Sequence, residues 1–401
     1  MFSPFSNSVY VRLFTAQIVA LLGTGLTTVA LALLAYDLAG GDAGRVLGTA
    51  LAIKMVAYVV LAPIAGGLAD RLPRKHFLIA LDLMRAGFVA CLPFVNEIWQ
   101  IYALILLMQA CSAGFTPLFQ ATIPDILKEE AEYTKALSLS RLAYDIESLL
   151  SPTLAAMALL VVSFNTLFAV NAVSFLVSAG LVFSVTLPSV VKPQNREGGF
   201  FERTTRGIRY YLATPRLRGL LALCMGVAAA GSMVIVNTVV YVRSHLGLGE
   251  QETALALAAF GAGSMAAAFI LPKMLAAYDD RPVMICGSLL MMLALGVGVF
   301  EPSYPVLLGL WFLIGSGYST VLVPSGRLLV RSSHEADRPA FYAAQFALSH
   351  ACWLLTYPLA GWLGSTLGMG AAFAALFVLT LGATLLALWL WPSHDPDRLA
   401  L

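Results

Sequence analysis

Runs of about twenty apolar residues recur along the whole chain, and no other feature limits its possible folds as much. A helix needs about 20 such residues to cross a hydrocarbon core of about 30 Å. Of the 401 residues, 59% are hydrophobic and only 11% charged, against roughly 25% charged in a soluble domain. About twelve runs can be marked, near 11–36, 44–67, 76–95, 99–120, 135–161, 165–187, 217–242, 251–274, 283–300, 304–328, 339–364 and 368–391. Lipid offers no partner to an unpaired backbone group, and the runs do not alternate polar and apolar as barrel strands do. The expectation is an all-α membrane protein. The opening "MFSPFSNSVYVRLF" has no basic stretch ahead of a short apolar core and no small-residue cleavage site, so no cleaved signal peptide is expected.

Lys and Arg set the orientation. With both termini in the cytoplasm, Arg71, Arg74, Lys75, Lys128, Lys135, Arg281, Arg331 and Arg338 fall on the cytoplasmic side, and the opposite loops hold little beyond Arg45 and Arg243. This is the positive-inside pattern, expected of a bacterial inner (plasma) membrane protein. The net charge of +2 therefore implies no acidic partner. The basic stretch "VKPQNREGGFFERTTRGIRYYLATPRLRG" lies between the sixth and seventh runs and reads as a cytoplasmic linker with an amphipathic helix, not as a nucleic-acid site. Cys91, Cys111, Cys224, Cys286 and Cys352 all fall inside runs without metal or disulfide spacing, and are expected reduced.

The linker divides the chain into an N-terminal six-helix bundle (1–187), a cytoplasmic linker (188–216) and a C-terminal six-helix bundle (217–401). The halves repeat. "EAEYTKALSLSRLAYDIESLLSPTLAAM" from Glu130 parallels "EADRPAFYAAQFALSHACWLLTYPLAGW" from Glu335, each reaching a proline, Pro152 and Pro358. "RLFTAQIVALLGTG" ends at Gly25 as "RGLLALCMGVAAAG" ends at Gly231. Two similar halves with a site between them near the midplane are a transporter plan.

The loop "AGGLADRLPRKHFL" resembles the signature between the second and third helices of the major facilitator superfamily, through Gly66, Leu68, Ala69, Asp70, Arg71, Arg74 and Lys75, with Pro73 where the family has glycine. The resemblance implies the major facilitator fold, about twelve transmembrane helices in two pseudo-symmetric bundles. It also implies a cytoplasmic latch of Gly66, Asp70, Arg71, Arg74 and Lys75, in which Asp70 faces the start of the eleventh helix, where a carboxylate is stabilised. The corresponding second-half loop, "AAYDDRPVM", is degraded, which suggests one principal latch.

Charges inside apolar runs are costly and mark function. Lys54, Asp82, Arg85, Asp145, Glu147 and His350 are so placed. At 1.5 Å per residue, Lys54 lies about 18 Å from Gly66, and Asp145 and His350 each about 14 Å into their helices, near mid-bilayer. Asp82 and Arg85, three apart, are expected to pair on one face. Asp145 and Glu147 diverge by roughly 200° and face different surroundings. Asp145 and Glu147 are the expected proton or cation carriers, because a carboxylate in low dielectric can exchange a proton for a cation. His350 either titrates during transport or is a hydrogen-bonded histidine of a helix contact, and both readings stay open.

In the superfamily the first, fourth, seventh and tenth helices line the cavity. On them Gln17, Thr24, Thr28, Gln109, Ser112, Thr116, Asn237, Tyr241, Tyr318 and Thr320 are candidate lining residues, though Ser and Thr also join helices. "ESLLSPTLAA" resembles the exporter signature of the fifth helix, with alanines for glycines, and "FQATIPDILKEEAEYTKALSLSRLAYDIESLLSP" is similar to macrolide and siderophore exporters. The arginine that many proton antiporters carry in the fourth helix is missing from "YALILLMQACSAG", which counts against proton coupling unless Lys54 or Arg85 substitutes for it. "GTALAIKMVAYVVLAPIAGGLADR" resembles nickel-resistance exporters, in which Asp145, Glu147, His350 and Cys352 would suit a borderline-soft cation.

The sequence contains no phosphate-binding loop and no nucleophile with a base and an orienting group, so it points to a transporter and not an enzyme. The expectation is a monomeric, proton-coupled exporter of a small cationic or amphipathic compound, working by alternating access without cofactor or resident metal. A nickel or other divalent-metal exporter, a siderophore exporter and a membrane sensor are the alternatives.

Overall fold

A computed structural model describes residues 3–61, 74–127, 129, 132, 136, 139–140, 143, 147, 150–151, 154–187, 200–333 and 338–393. The latch residues Gly66, Asp70 and Arg71, with Pro73, Asp145 and Pro152, lie outside the described residues. The described chain is helical. Its helices are α1 (Ser8–Ala39), α2 (Ala43–Val56), α3 (Arg74–Cys91), α4 (Ile98–Ile126), α5 (Phe164–Phe183), α6 (Phe200–Ala213), α7 (Pro215–Val240), α8 (Glu250–Ala277), α9 (Asp280–Gly298), α10 (Tyr304–Arg331), α11 (Arg338–Thr366) and α12 (Met369–Leu390). Between α4 and α5, helix is described at scattered positions including Ala136, Glu147 and Ser151, and continuously over 154–159.

Among the described residues nine segments are long and apolar enough to cross a membrane. The first, the 49-residue Ser8–Val56, holds both α1 and α2, because a bilayer passes only about 20 residues of helix. A 3-10 turn over Gly40–Asp42 separates them, and Gly40 adopts φ +53, a conformation that glycine takes without strain. The same reasoning applies to Gly368, whose φ of +91 turns α11 into α12. At the start of α4 the Gln100 side-chain oxygen accepts from the backbone N–H groups of Asn96 and Glu97, at 2.9 and 3.1 Å, so that helix begins where the sequence turns apolar.

By contact the chain forms two compact units. The first comprises Met1–Leu34, Ile53–Ser151 and Val161–Glu197, and the second Ala35–Ala52, Pro152–Leu160 and Gly198–Leu401. An apolar core of Tyr10, Leu13, Leu78, Phe115, Phe119, Ile123 and Val182 holds the first together. In the second, small residues bring backbones into contact, as is usual where lipid gives helices no hydrophobic reason to associate. A Cβ on Gly263 would stand 2.0 Å from the Phe312 carbonyl oxygen, and one on Gly315 only 1.9 Å from that of Phe260, so α8 and α10 touch backbone to backbone. Ser264 and Ser319 share a 2.7 Å hydrogen bond in the same seam. Gly287 and Gly317 do for α9 and α10 what the first pair does for α8 and α10.

Residues 35–52 pack with the rest of the second unit through several kinds of contact. Arg243 lies 3.3 Å from Asp37 and 3.8 Å from Glu250, and its guanidinium sits 4.3 Å from the centre of the Tyr36 ring. The Tyr36 and Ser244 hydroxyls are 2.9 Å apart. Further along the same segment, a Cβ on Gly361 would stand 2.1 Å from the Gly44 carbonyl oxygen, and one on Gly48 2.5 Å from that of Tyr357.

Candidate functional site

In the first unit the intramembrane charges form two groups. Glu147 accepts a 3.0 Å hydrogen bond from Ser151, one helical turn on. The α1 backbone closes against this pair at Gly25, where a Cβ would lie 1.8 Å from the Ser151 hydroxyl and 2.5 Å from the Glu147 carboxylate. Lys54, half-buried on α2, is near enough for its charge and that of Glu147 to act on one another. A carboxylate, an ammonium and a hydroxyl thus share one region inside the bundle.

The second group is more deeply enclosed. Asp82 and Arg85 pair on α3 and are 0% and 5% exposed, too little for a solvated ion pair. Ser178 of α5 donates to Asp82 at 2.7 Å. The Arg85 guanidinium lies between the Phe115 and Phe175 rings, 4.2 and 4.4 Å from their centres. The arrangement joins α3, α4 and α5 by ion pair, hydrogen bond and cation–π contact. Of the latch residues described, Arg74 and Lys75 open α3 half-buried, and the Lys75 ammonium lies 5.1 Å from the Phe183 ring centre.

The candidate lining residues divide by what their polar atoms do. Thr24, Thr28, Ser112 and Thr320 donate to carbonyls one turn earlier in their own helices, at 2.9, 3.3, 3.1 and 2.7 Å. Gln17 and Gln109 are buried, and the carbonyl oxygen of each side chain accepts no hydrogen bond from a described residue. The side chain of Thr116 lies outside those described. Asn237 and Tyr241 are fully buried. Asn237 donates to the Ala360 carbonyl at 3.0 Å, and Tyr241 to that of Pro302 at 2.8 Å, so both hold helix contacts and are closed to solvent here.

In the second unit α11 presents three different faces. Towards α7 it is polar and buried: Gln345 donates to the Cys224 sulfur at 3.4 Å, and Ser232 donates to Thr356 at 2.7 Å. Cys352 belongs to the buried side and His350 does not, since residues two apart diverge by roughly 200°. A second face carries Leu355 and Trp362, 63% and 52% exposed, as suits side chains that meet lipid. The third face is aromatic. His350 lies against Phe346 with ring centres 3.9 Å apart and planes inclined by 33°, its Nδ1 2.7 Å from the Phe346 carbonyl oxygen. Trp353 lies 4.8 Å from Tyr357 and 6.5 Å from Tyr318, which meets Phe260 at 5.5 Å.

The internal repeat is realised in these contacts. An offset of 206, the one that relates Gly25 to Gly231 and Pro152 to Pro358, carries Glu147 onto Trp353. In the first unit Gly25 faces Glu147 and Ser151; in the second its counterpart Gly231 faces Trp353, a Cβ there lying 2.4 Å from the indole. The same backbone approach meets a carboxylate in one half and a ring in the other.

One cluster escapes the sequence reading. Asp280, at the first turn of α9, is 1% exposed and pairs with Arg327 at 3.1 Å and Arg331 at 2.7 Å. Arg327 also donates to the Leu275 carbonyl at the end of α8, at 3.2 Å, and Arg281 caps α12 through the Trp391 carbonyl at 2.7 Å. The degraded second-half loop therefore ties four helix ends together. Two arginines four residues apart, hence on one helix face, are the available signal.

Helices of membrane-spanning length, a two-fold internal repeat and charges held inside the bundle define a polytopic transporter fold. The chain belongs to the Major Facilitator Superfamily, whose family profile matches residues 13–249 and 221–400. The MFS-type transporter YfiS of Bacillus subtilis (strain 168) is 25% identical over 329 residues, covering 79% of this chain and 77% of that protein. Macrolide efflux protein A of Streptococcus pyogenes is 23% identical over 222 residues, 54% of this chain and 53% of that one. Among solved structures, a bacterial homologue of the human lysosomal transporter Spinster, inward-facing and unoccupied, matches with a TM-score of 0.74 over 99% of both chains at 12% identity. A point mutant of the nucleoside transporter NupG matches at 0.72 over 95% of this chain and 100% of that one, at 11% identity. These structural likenesses establish the fold.

Proposed function

We propose that this chain is a proton-coupled exporter of a small cationic or amphipathic organic compound, working by alternating access in a bacterial inner membrane with both termini cytoplasmic. The observation that carries the reading is Glu147, a carboxylate held in the interior of the first unit by Ser151, closed over by Gly25 and set in the field of Lys54. Such a group can take up a proton from one side and release it when the charge balance around it changes. Asp145, its neighbour in sequence, is proposed to share the task. Similarity to a macrolide efflux protein supports the outward direction. Asp70, Arg71, Arg74 and Lys75 would latch the cytoplasmic side between steps.

A divalent-metal exporter is less well supported. It needs several donors to converge, and among the described residues no group of three or more His, Cys, Asp or Glu does so. The test uses inverted membrane vesicles acidified inside and offered a labelled lipophilic cation. Uptake that collapses with a protonophore, and that falls at least tenfold in Glu147→Gln while the protein level is kept, is the expected result. Undiminished proton-driven uptake in that variant removes Glu147 from the mechanism.

A further inference from the structure

The linker helix α6 divides its surface into three sectors. At 100° per residue, Gly207 and Tyr211 share one side, positions Phe201, Ile208 and Leu212 a second about 100° away, and positions Arg203, Arg206 and Arg209 a third, about 120° from the first and about 140° from the second. The first side is docked on the second unit. Gly207 and Tyr211 are buried, the Tyr211 hydroxyl donates to the Gln345 side chain of α11, and the neighbouring Tyr210 ring lies against Phe341 with centres 6.5 Å apart. The other two sides are left to the surroundings: Leu212 is 42% exposed, Ile208 half-buried and Arg209 exposed. An apolar strip beside a basic one suits neither water alone nor a protein core.

The depth of α6 decides what meets those strips. Only Thr214 separates α6 from α7, and a Cβ on Gly219 of α7 would lie 2.7 Å from that of Trp391, next to the end of α12. Trp389, in the last turn of α12, is 79% exposed, as suits the tryptophan belt at a membrane edge. Arg281 caps α12 at the same level, through the Trp391 carbonyl. Ala213 precedes Gly219 by six residues, so the last turn of α6 stands no more than about 9 Å past that edge. The polar layer of a bilayer extends about 5–8 Å beyond its hydrocarbon on each side. The exposed strips of α6 therefore meet lipid headgroups. A basic amphipathic helix at that depth rests its apolar side on acyl chains and turns its arginines to phosphates. Glu202 lies one turn before Arg206 and leaves the basic strip with a net positive charge.

We propose that α6 is a binding site for anionic phospholipid: Arg203, Arg206 and Arg209 hold phosphodiester headgroups, Ile208 and Leu212 rest on the acyl chains, and the Tyr211–Gln345 contact fastens the lipid-held helix to α11. The site is independent of the compound carried.

The test titrates the purified full-length chain in detergent with phosphatidylglycerol or phosphatidylcholine of the same acyl chains and counts bound lipid by native mass spectrometry. Phosphatidylglycerol is expected to bind at least tenfold more tightly, since each arginine near an anionic surface adds about fivefold. Arg203→Gln, Arg206→Gln and Arg209→Gln combined should bring the two lipids within about threefold of each other. Lysine at the same three positions keeps the charge and should keep the preference within about threefold of its original value, and Arg45→Gln, at an exposed arginine elsewhere in the second unit, should leave it unchanged. Equal binding of both lipids to the unaltered chain, or a preference that survives the triple glutamine variant, overturns the assignment. Loss of the preference in the lysine variant would show a structural effect and overturn it too. Displacement of the lipid by millimolar inorganic phosphate would make the strip a free-phosphate site instead. None of these outcomes bears on Glu147 or on the direction of transport.

Discussion

At the scale of single residues, the buried charges are legible in the sequence while their partners are not. Asp82 and Arg85 announce their pairing by spacing alone, because three residues along a helix return to the same face. Nothing in the spacing shows Ser178, 96 positions away, donating to the same carboxylate, or two phenylalanines flanking the guanidinium. Asp280 shows the converse. Its loop looks like a worn copy of the first-half signature, yet it carries two charge-assisted contacts in a buried site. Asp280→Asn is expected to lower stability by about 2 kcal/mol, the scale of hydrogen bonds to charged groups, with most of that reproduced by Arg331→Ala. Thermal unfolding of the detergent-solubilised variants measures it, and an unchanged midpoint in Asp280→Asn would show the cluster to be ornamental.

Among the elements, α10 and α11 carry the clearest demands. The close approach of α8 and α10 rests on Gly263 and Gly315, each facing the other helix's carbonyl oxygen. Any side chain at Gly315 forces the helices apart, so Gly315→Leu should cost more than about 1–3 kcal/mol, the usual range for overpacking, and appear as reduced folded yield. Gly309, with nothing near a Cβ on the same helix, supplies the control: Gly309→Ala should be tolerated. The sequence hides this contrast, since both glycines sit in similar apolar runs and only the neighbouring backbone separates them. Periodicity marks the faces of α11 better. The i, i+4, i+7 spacing of Phe346, His350 and Trp353 is visible in the string, but which stripe meets lipid depends on exposure, which spacing does not encode.

For the whole molecule, the repeat is the most informative part of the sequence. An offset of about 205 relates the two halves, and it places Gly25 and Gly231 against equivalent segments of two units whose chemistry has diverged. The fold follows from the apolar runs and that repeat, both properties of long segments. The site follows less well, because a repeat predicts where a residue lies and not whether evolution left a carboxylate or a ring there. The extension of the second unit to include residues 35–52 has no sequence signal at all. Arg243 organises that contact, and Arg243→Ala is expected to weaken it by no more than about 1 kcal/mol per lost pair, since Asp37 and Glu250 are each about half exposed. A double-mutant cycle with Asp37→Asn, read by thermal unfolding, checks that figure.

Outward movement of an organic cation should be tied to inward movement of protons. Proteoliposomes with a trapped pH-sensitive dye and no initial pH gradient test this most directly, when a gradient of a lipophilic cation is imposed across them. Proton movement opposite to the cation, present in the unaltered chain and absent in Glu147→Gln, is the predicted result. Cation movement with no change in dye signal would contradict the coupling, and no movement of either would contradict the exporter reading itself.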